Sequence, residues 1–381
     1  EVKHFFNATR SLTSFWYVTK RLTSHFRDLA LYRRSMRLTN GNALIARAAK
    51  TALKLGIPIW TDAPAHELRM EHGRVTGALI ESKDGPVWVN AKRGVVLACG
   101  GFEGNTEMVI RYLGSKGRYL RPVARGGYYN KGEGIAMALR AGAAPAGDYA
   151  GYHAQPIDPR SSATEAIVMA FPYGVLVNRD GQRFVDEAPG SIDAHYEETT
   201  LTIAEQKQGI AFCILDDKIN RIENWKRCVR SDRPPETAPD VVTLGKKLGF
   251  DGAAASRTIA AFNQACRPGN FDPKILDGLA TENLTPRKSN YAVPLDTPPF
   301  HAYPMISSNT FTFGGLKVNT NAQVVSQSGD AMPGLYAAGE TVGIYYGRYP
   351  GATSVLRGAV FGRRAGEHAA QRCASARARA G

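Results

Sequence analysis

The stretch from Pro333 to Gly366, PGLYAAGETVGIYYGRYPGATSVLRGAVFGRRAG, constrains this chain more than any other. Its apolar start, Leu335 to Ala338, predicts a buried strand, followed by a turn at Gly339-Glu340, a loop rich in glycine and aromatic residues, and a helix from about Thr353. Ala352-Thr353-Ser354 places small and hydroxylated residues at that helix start, where unpaired N–H groups and the positive dipole end can face an electron-rich ligand. A strand running through such a loop into a helix N-terminus is how α/β chains present backbone donors to a bound group. The alternative is a purely structural strand–helix connection.

The preceding sequence reads as the rest of an α/β chain. Residues 37–62 predict a helix with apolar Leu44, Ile45, Ala48, Leu53 and Leu55, stopped at Gly56 and followed by a strand from Ile57 to Thr61. Three more strands are expected at Arg74 to Glu81, Val87 to Asn90 and Gly94 to Cys99, with a turn at Lys83-Asp84-Gly85. Val95 to Cys99 is apolar throughout and should be buried on both faces. Gly100-Gly101 then permits close backbone approach to a ligand. Asn130-Lys131-Gly132-Glu133-Gly134 opens a further helix, with Glu133 favourably placed in its first turn. From about Gly147 to Pro299 proline and polar loops increase. That region contains an expected hairpin from Val175 to Glu187 and two short helices between Thr243 and Cys266.

LYAAGE, YPGATS and FGRRAG, together with LACGGFEGNTEM and NRDGQRFVDE, resemble the FAD-dependent fumarate reductase/succinate dehydrogenase flavoprotein superfamily. The resemblance is closest to the branch holding tricarballylate dehydrogenase and 3-oxosteroid dehydrogenase-like proteins, and it runs from about Arg37 to Gly366. It implies an α/β fold: an FAD-binding, Rossmann-like domain of the glutathione-reductase type with a β-meander, plus an inserted α+β capping domain. The implied division is 1–36 as a remnant of an N-terminal region, 37–150 and 301–381 as parts of the FAD domain, and 151–300 as the cap. FAD is the implied cofactor. Ala98, Gly100, Gly101 and Asn105 match the segment touching its adenosine and pyrophosphate side. Glu133 stands where the family has an aspartate near the flavin, and Gly314 and Gly315 match a flavin-contacting pair. Gly339 and Glu340 match the contact to ribityl or ribose hydroxyls, and Thr353, Ser354 and Val355 the helix start facing the flavin N1/C2=O edge. The family's G-x-G-x-x-G turn does not occur in the sequence, so an N-terminal truncation is expected.

The implied reaction moves a hydride between flavin N5 and a C–C bond α,β to a carboxylate or carbonyl. His153, within YAGYHAQP, aligns with a substrate-binding histidine, its alternative being a hydrogen-bonded core residue. Arg348 and Tyr349 fall where relatives carry either an arginine for a substrate carboxylate or a tyrosine for a substrate carbonyl, and the sequence leaves both open. Tyr152, Tyr173, Tyr345 and Tyr346 are further oxygen-binding candidates. Ser191, Phe311 and Ala166-Ile167 replace residues that fumarate reduction needs. The net positive charge, Arg348 and the branch-like TFTFGG motif make a tricarballylate-like polycarboxylate the expected substrate. The alternatives are a 3-ketosteroid dehydrogenase-like enzyme, a fumarate reductase-like enzyme, or a truncated non-catalytic fragment.

Formal net charge is +14, but the basic residues are dispersed and no nucleic-acid motif accompanies them, so an anionic small molecule or a solvated surface is the expected use of the charge. No apolar run is long enough for a membrane span. The five scattered cysteines, Cys99, Cys213, Cys228, Cys266 and Cys373, predict reduced thiols and a cytoplasmic setting. No metal-ligand pattern is present, and no haem or iron–sulfur motif names an electron acceptor.

Overall fold

The structure is a computed structural model describing residues 2–378. The chain divides into two compact units, Glu1–Ala63 and Pro64–Gly381. The first unit is helical, with helices Val2–Phe6, Leu12–Tyr32 and Asn40–Lys54. The last ends as expected: Gly56 adopts φ +66° and its N–H reaches back to the Leu53 carbonyl. The expected strand from Ile57 to Thr61 does not form. Ile57, Ile59 and Trp60 are exposed, and no neighbouring strand supplies the ladder that an isolated strand needs.

The second unit opens with an antiparallel meander, Ala65–Glu71, Arg74–Ser82 and Gly85–Asn90, whose first strand the sequence reading missed. Strand Val95–Leu97 then pairs in parallel with Ala331–Ala337, which pairs antiparallel with Gln323–Val325. Val95–Leu97 is shorter than expected and is not buried on both faces. Leu97 is buried but Val96 is largely exposed, because the strand lies at the edge of its three-stranded sheet.

A second sheet runs Glu236–Ala238, Phe300–Thr312, Ile210–Leu215, Val175–Val177, and strand Tyr152–Ile157 also pairs with Phe300–Thr312. Phe300–Thr312 is the spine of this layer, and its register sets His153 opposite Phe311. The expected hairpin from Val175 to Glu187 is realised only in its first strand, its turn and a single bridge between Val177 and Arg183. Its return arm instead forms a buried ion pair, Arg183 Nη2 to Glu187 Oε2 at 2.6 Å, and Glu187 Oε1 accepts the Leu176 N–H. The two cap helices are as expected, Val241–Leu248 and Gly252–Ala265, with Asp240 and Asp251 as N-caps. Helix Ser354–Ala378 closes the described chain. Among the described residues no helix is long and apolar enough to cross a membrane.

Candidate active site

Two clusters of predicted residues come together in the second unit. The first lies where Val95–Leu97 and Ala331–Ala337 end side by side. Ala338 N–H bonds the Leu97 carbonyl at 2.9 Å, and Thr341 Oγ1 donates to the Gly100 carbonyl at 3.1 Å. This brings Glu340 over Gly101, and its Oε1 accepts from Thr312 N at 2.8 Å and Oγ1 at 3.2 Å. A Cβ on Gly101 would stand 2.2 Å from both Glu340 Oε1 and Thr312 Oγ1, so the glycine is what admits the carboxylate. Beside Glu340 lies a residue the sequence reading missed, Glu103. Its Oε1 accepts from Asn130 Nδ2 at 2.5 Å, while its Oε2 is buried without a partner. Burial and the neighbouring Glu340 charge push the Glu103 carboxyl up to about 9, and burial raises Glu340 as well. Burial thus disfavours charge on both neighbouring carboxyls.

The second cluster is a cavity of about 490 Å³ that gathers His153, Arg348 and Tyr349 with Tyr196, Glu197 and Glu198. His153 is 5 % exposed, its Nδ1 2.7 Å from Glu197 Oε1 and its Nε2 3.2 Å from the Tyr196 hydroxyl. That pattern holds the imidazole with Nδ1–H toward the carboxylate and Nε2 accepting from the phenol. The Tyr349 ring lies tilted against His153, 54° between ring planes, at a centroid distance of 4.6 Å. Its hydroxyl sits at the start of helix Ser354–Ala378, accepting the Thr353 N–H at 3.0 Å and the Ser354 N–H at 3.1 Å and donating to Ser354 Oγ at 3.0 Å. Partial burial acts to raise the Tyr349 pKa, but these bonds outweigh it and the net shift is downward. Tyr196 shifts upward through burial and the Glu197 charge. The Arg348 guanidinium is paired with Glu198 at the exposed rim.

The remaining predicted residues make the following contacts within the chain. Asn105 caps helix Thr106–Leu113, its Oδ1 accepting the Met108 N–H and its Nδ2 donating to the Lys131 carbonyl. Glu133 is exposed and accepts the Lys131 N–H at its helix start. Gly314 and Gly315 face the chain itself: a Cβ would meet the Tyr149 ring at 2.5 Å and the Gly343 nitrogen at 2.6 Å, respectively. Ala98 and Val355 are exposed. Thr353 Oγ1 bonds the Tyr345 hydroxyl, and Gly339, at φ +67°, has open space where a Cβ would point.

The family described as FAD binding domain matches residues 9–356, and the chain belongs to it, within the fumarate reductase/succinate dehydrogenase flavoprotein superfamily. A 4-oxocyclohex-2-ene-1-carboxylate 5-dehydrogenase of Sinomonas cyclohexanicum is 30% identical, over 99% of this chain and 67% of its own. A fumarate reductase (cytochrome) of Shewanella frigidimarina is 30% identical over 80% of this chain and 50% of its own. Among solved structures, the 3-ketosteroid delta1-dehydrogenase of Sterolibacterium denitrificans shares the fold with a TM-score of 0.72, at 24% identity, over 97% of this chain and 70% of that one. The chain thus spans about two thirds and half the length of the two curated relatives. The residues present fit FAD: the orphaned Glu103 oxygen and the Glu340 carboxylate are acceptors for sugar-type hydroxyls, and the positive dipole end of helix Ser354–Ala378 suits an electron-rich ring edge.

Proposed function

We propose that the chain is the flavin- and substrate-binding part of an FAD-dependent oxidoreductase acting on a C–C bond α,β to a carbonyl, with residues 151–300 as the cap over its substrate. FAD held near Glu103, Glu340 and the start of helix Ser354–Ala378 supplies the acceptor for a hydride from the substrate β-carbon. The observation that carries the reading is the Tyr349 hydroxyl, fixed by two helix-start N–H groups on a ring that lies against His153 in the same pocket. Its proton can turn from Ser354 Oγ to a substrate carbonyl oxygen, and its lowered pKa makes it a better donor as negative charge grows on that oxygen. On the α-carbon side, the Tyr196 hydroxyl takes the proton while its own passes to His153 Nε2, and Glu197 holds the imidazolium that results.

The same lining argues about substrate. Asp193, Glu197 and Glu198 border the pocket, and Arg348 is already paired with Glu198. A tricarballylate-like polycarboxylate would meet like charges there, so a cyclic ketone with at most one carboxylate is the better fit. The name of the Sinomonas relative, which specifies a keto acid, supports this choice. Anaerobic addition of 4-oxocyclohexane-1-carboxylate to the FAD-loaded, full-length polypeptide is expected to bleach the flavin, and tricarballylate is expected not to. Bleaching by tricarballylate alone would overturn the ketone reading.

A further inference from the structure

Arg357 stands in the first turn of helix Ser354–Ala378 and is 4 % exposed. Its Nη1 donates to the Val342 carbonyl at 2.9 Å, while its Nε is buried without a hydrogen-bond partner. Its guanidinium lies 4.6 Å from the centroid of the Tyr345 ring and 5.5 Å from that of Phe311. Both rings belong to the aromatic cluster that reaches Tyr349 and His153. Its charge also acts on Glu340, opposing the upward push of burial on that carboxyl. Arg357 thus contacts the aromatic cluster beside the substrate pocket, and among the described residues it has no ion-pair partner.

A guanidinium cannot escape burial by losing its proton, so an unpaired one carries a standing desolvation cost. The neighbouring rings offset part of that cost through their faces. The Val342 carbonyl satisfies one donor. The unpartnered Nε–H and the full positive charge stand in the same helix turn whose N–H groups and dipole already favour negative charge. Nothing in the sequence reading singled this residue out, although it interrupts the otherwise small and apolar run TSVLRGAV.

We propose that Arg357 is a positioning residue for the flavin, holding a positive charge beside the ring so that its anionic, reduced form is favoured. The proposal rests on the FAD reading above. It goes beyond that reading in assigning the electrostatic tuning of the bound ring to one side chain, in addition to the helix start. Charge near the N1 edge controls flavin electronics, and a cation there raises the reduction potential.

Sulfite tests this without turnover. Its sulfur lone pair forms a bond to flavin N5, the displaced electron pair comes to rest toward N1, and the visible absorption bleaches reversibly. The full-length polypeptide loaded with FAD is titrated with sulfite as wild type, Arg357→Gln and Arg357→Lys, and the midpoint potential of each is measured. Arg357→Gln keeps a donor for the Val342 carbonyl but removes the charge. It is expected to weaken sulfite binding at least about tenfold and to lower the potential, and Arg357→Lys to restore both to within about threefold of wild type. Equal sulfite affinity in wild type and Arg357→Gln overturns the proposal, as does an Arg357→Lys protein as weak as the Gln variant, which would mark a structural role. Should the Gln variant fail to fold, wild type alone decides: sulfite affinity no greater than that of free FAD overturns the proposal. A full-length wild type that takes up no FAD removes the cofactor reading itself, an outcome distinct from flavin bound with unaltered sulfite affinity.

Discussion

Replacing Glu103 by glutamine should stabilise the apo-protein at alkaline pH. In the fold the Glu103 carboxyl is held at about 9, against an ordinary value of 4.5, by burial and by the Glu340 charge beside it. Below the ordinary value both native and unfolded chains keep the proton, and the group contributes nothing. Between 4.5 and about 9 the unfolded chain releases it while the native chain retains it, so native stability falls as pH rises. The limiting slope is about 1.4 kcal/mol per pH unit. Side-chain relaxation and water entry return part of this, leaving about 2–3 kcal/mol by pH ~8. Glu103→Gln keeps the acceptor for Asn130 and supplies a donor toward Glu340 with no proton to lose. Urea unfolding of both proteins from pH ~5 to ~9 reads the effect. The wild type should lose stability across the range, the variant should lose less, and saturating FAD should flatten the wild-type slope by offering hydroxyl donors to both carboxylates. A variant no more stable than wild type at high pH, with the wild-type slope retained, would refute the retained-proton argument.

Other changes separate the roles assigned to the two clusters. Tyr349→Phe removes the carbonyl donor and should lower flavin reduction by a ketone about 10²-fold while leaving FAD affinity unchanged, read by stopped-flow absorbance and by fluorescence titration. Glu197→Gln replaces the carboxylate that accepts from His153 Nδ1 with a neutral amide, and the same reduction rate should fall. Gly101→Ala places a Cβ 2.2 Å from the Glu340 carboxylate and should weaken FAD at least about tenfold, ~1.4 kcal/mol, in an equilibrium titration. Arg348→Met breaks only an exposed pair with Glu198, so a thermal melt should show a change of less than about 1 kcal/mol.

The local patterns of strand, glycine turn and helix start were legible in the sequence because each is written in consecutive residues. Leu335 to Ala338, the Gly339 turn and the helix from Ser354 appear where the pattern put them, as do the two cap helices with their aspartate caps. His153, Arg348 and Tyr349 were named from the resemblance and meet in one cavity. What the sequence concealed is long-range pairing. Glu103 lies opposite Glu340, and Glu197 beside His153, only because separate strands and a helix bring them there, and no local spacing records it. The failed strand at 57–61 is the converse case, since apolar residues alone do not make a strand without an edge to pair with. At Gly314-Gly315 the close approach that a glycine pair signals includes the chain's own Tyr149 and Gly343.

The most direct test of a flavin and a carbonyl compound meeting at Tyr349 is a difference spectrum. FAD-loaded, full-length wild type and Tyr349→Phe are titrated with a substituted phenol, a planar mimic of the substrate's enol form that cannot be oxidised across a C–C bond. The wild type should show a saturable perturbation of flavin absorption, with affinity reduced at least about tenfold in Tyr349→Phe. No perturbation in the wild type, or equal affinity in the two proteins, would contradict a substrate pocket built around Tyr349 beside the bound flavin.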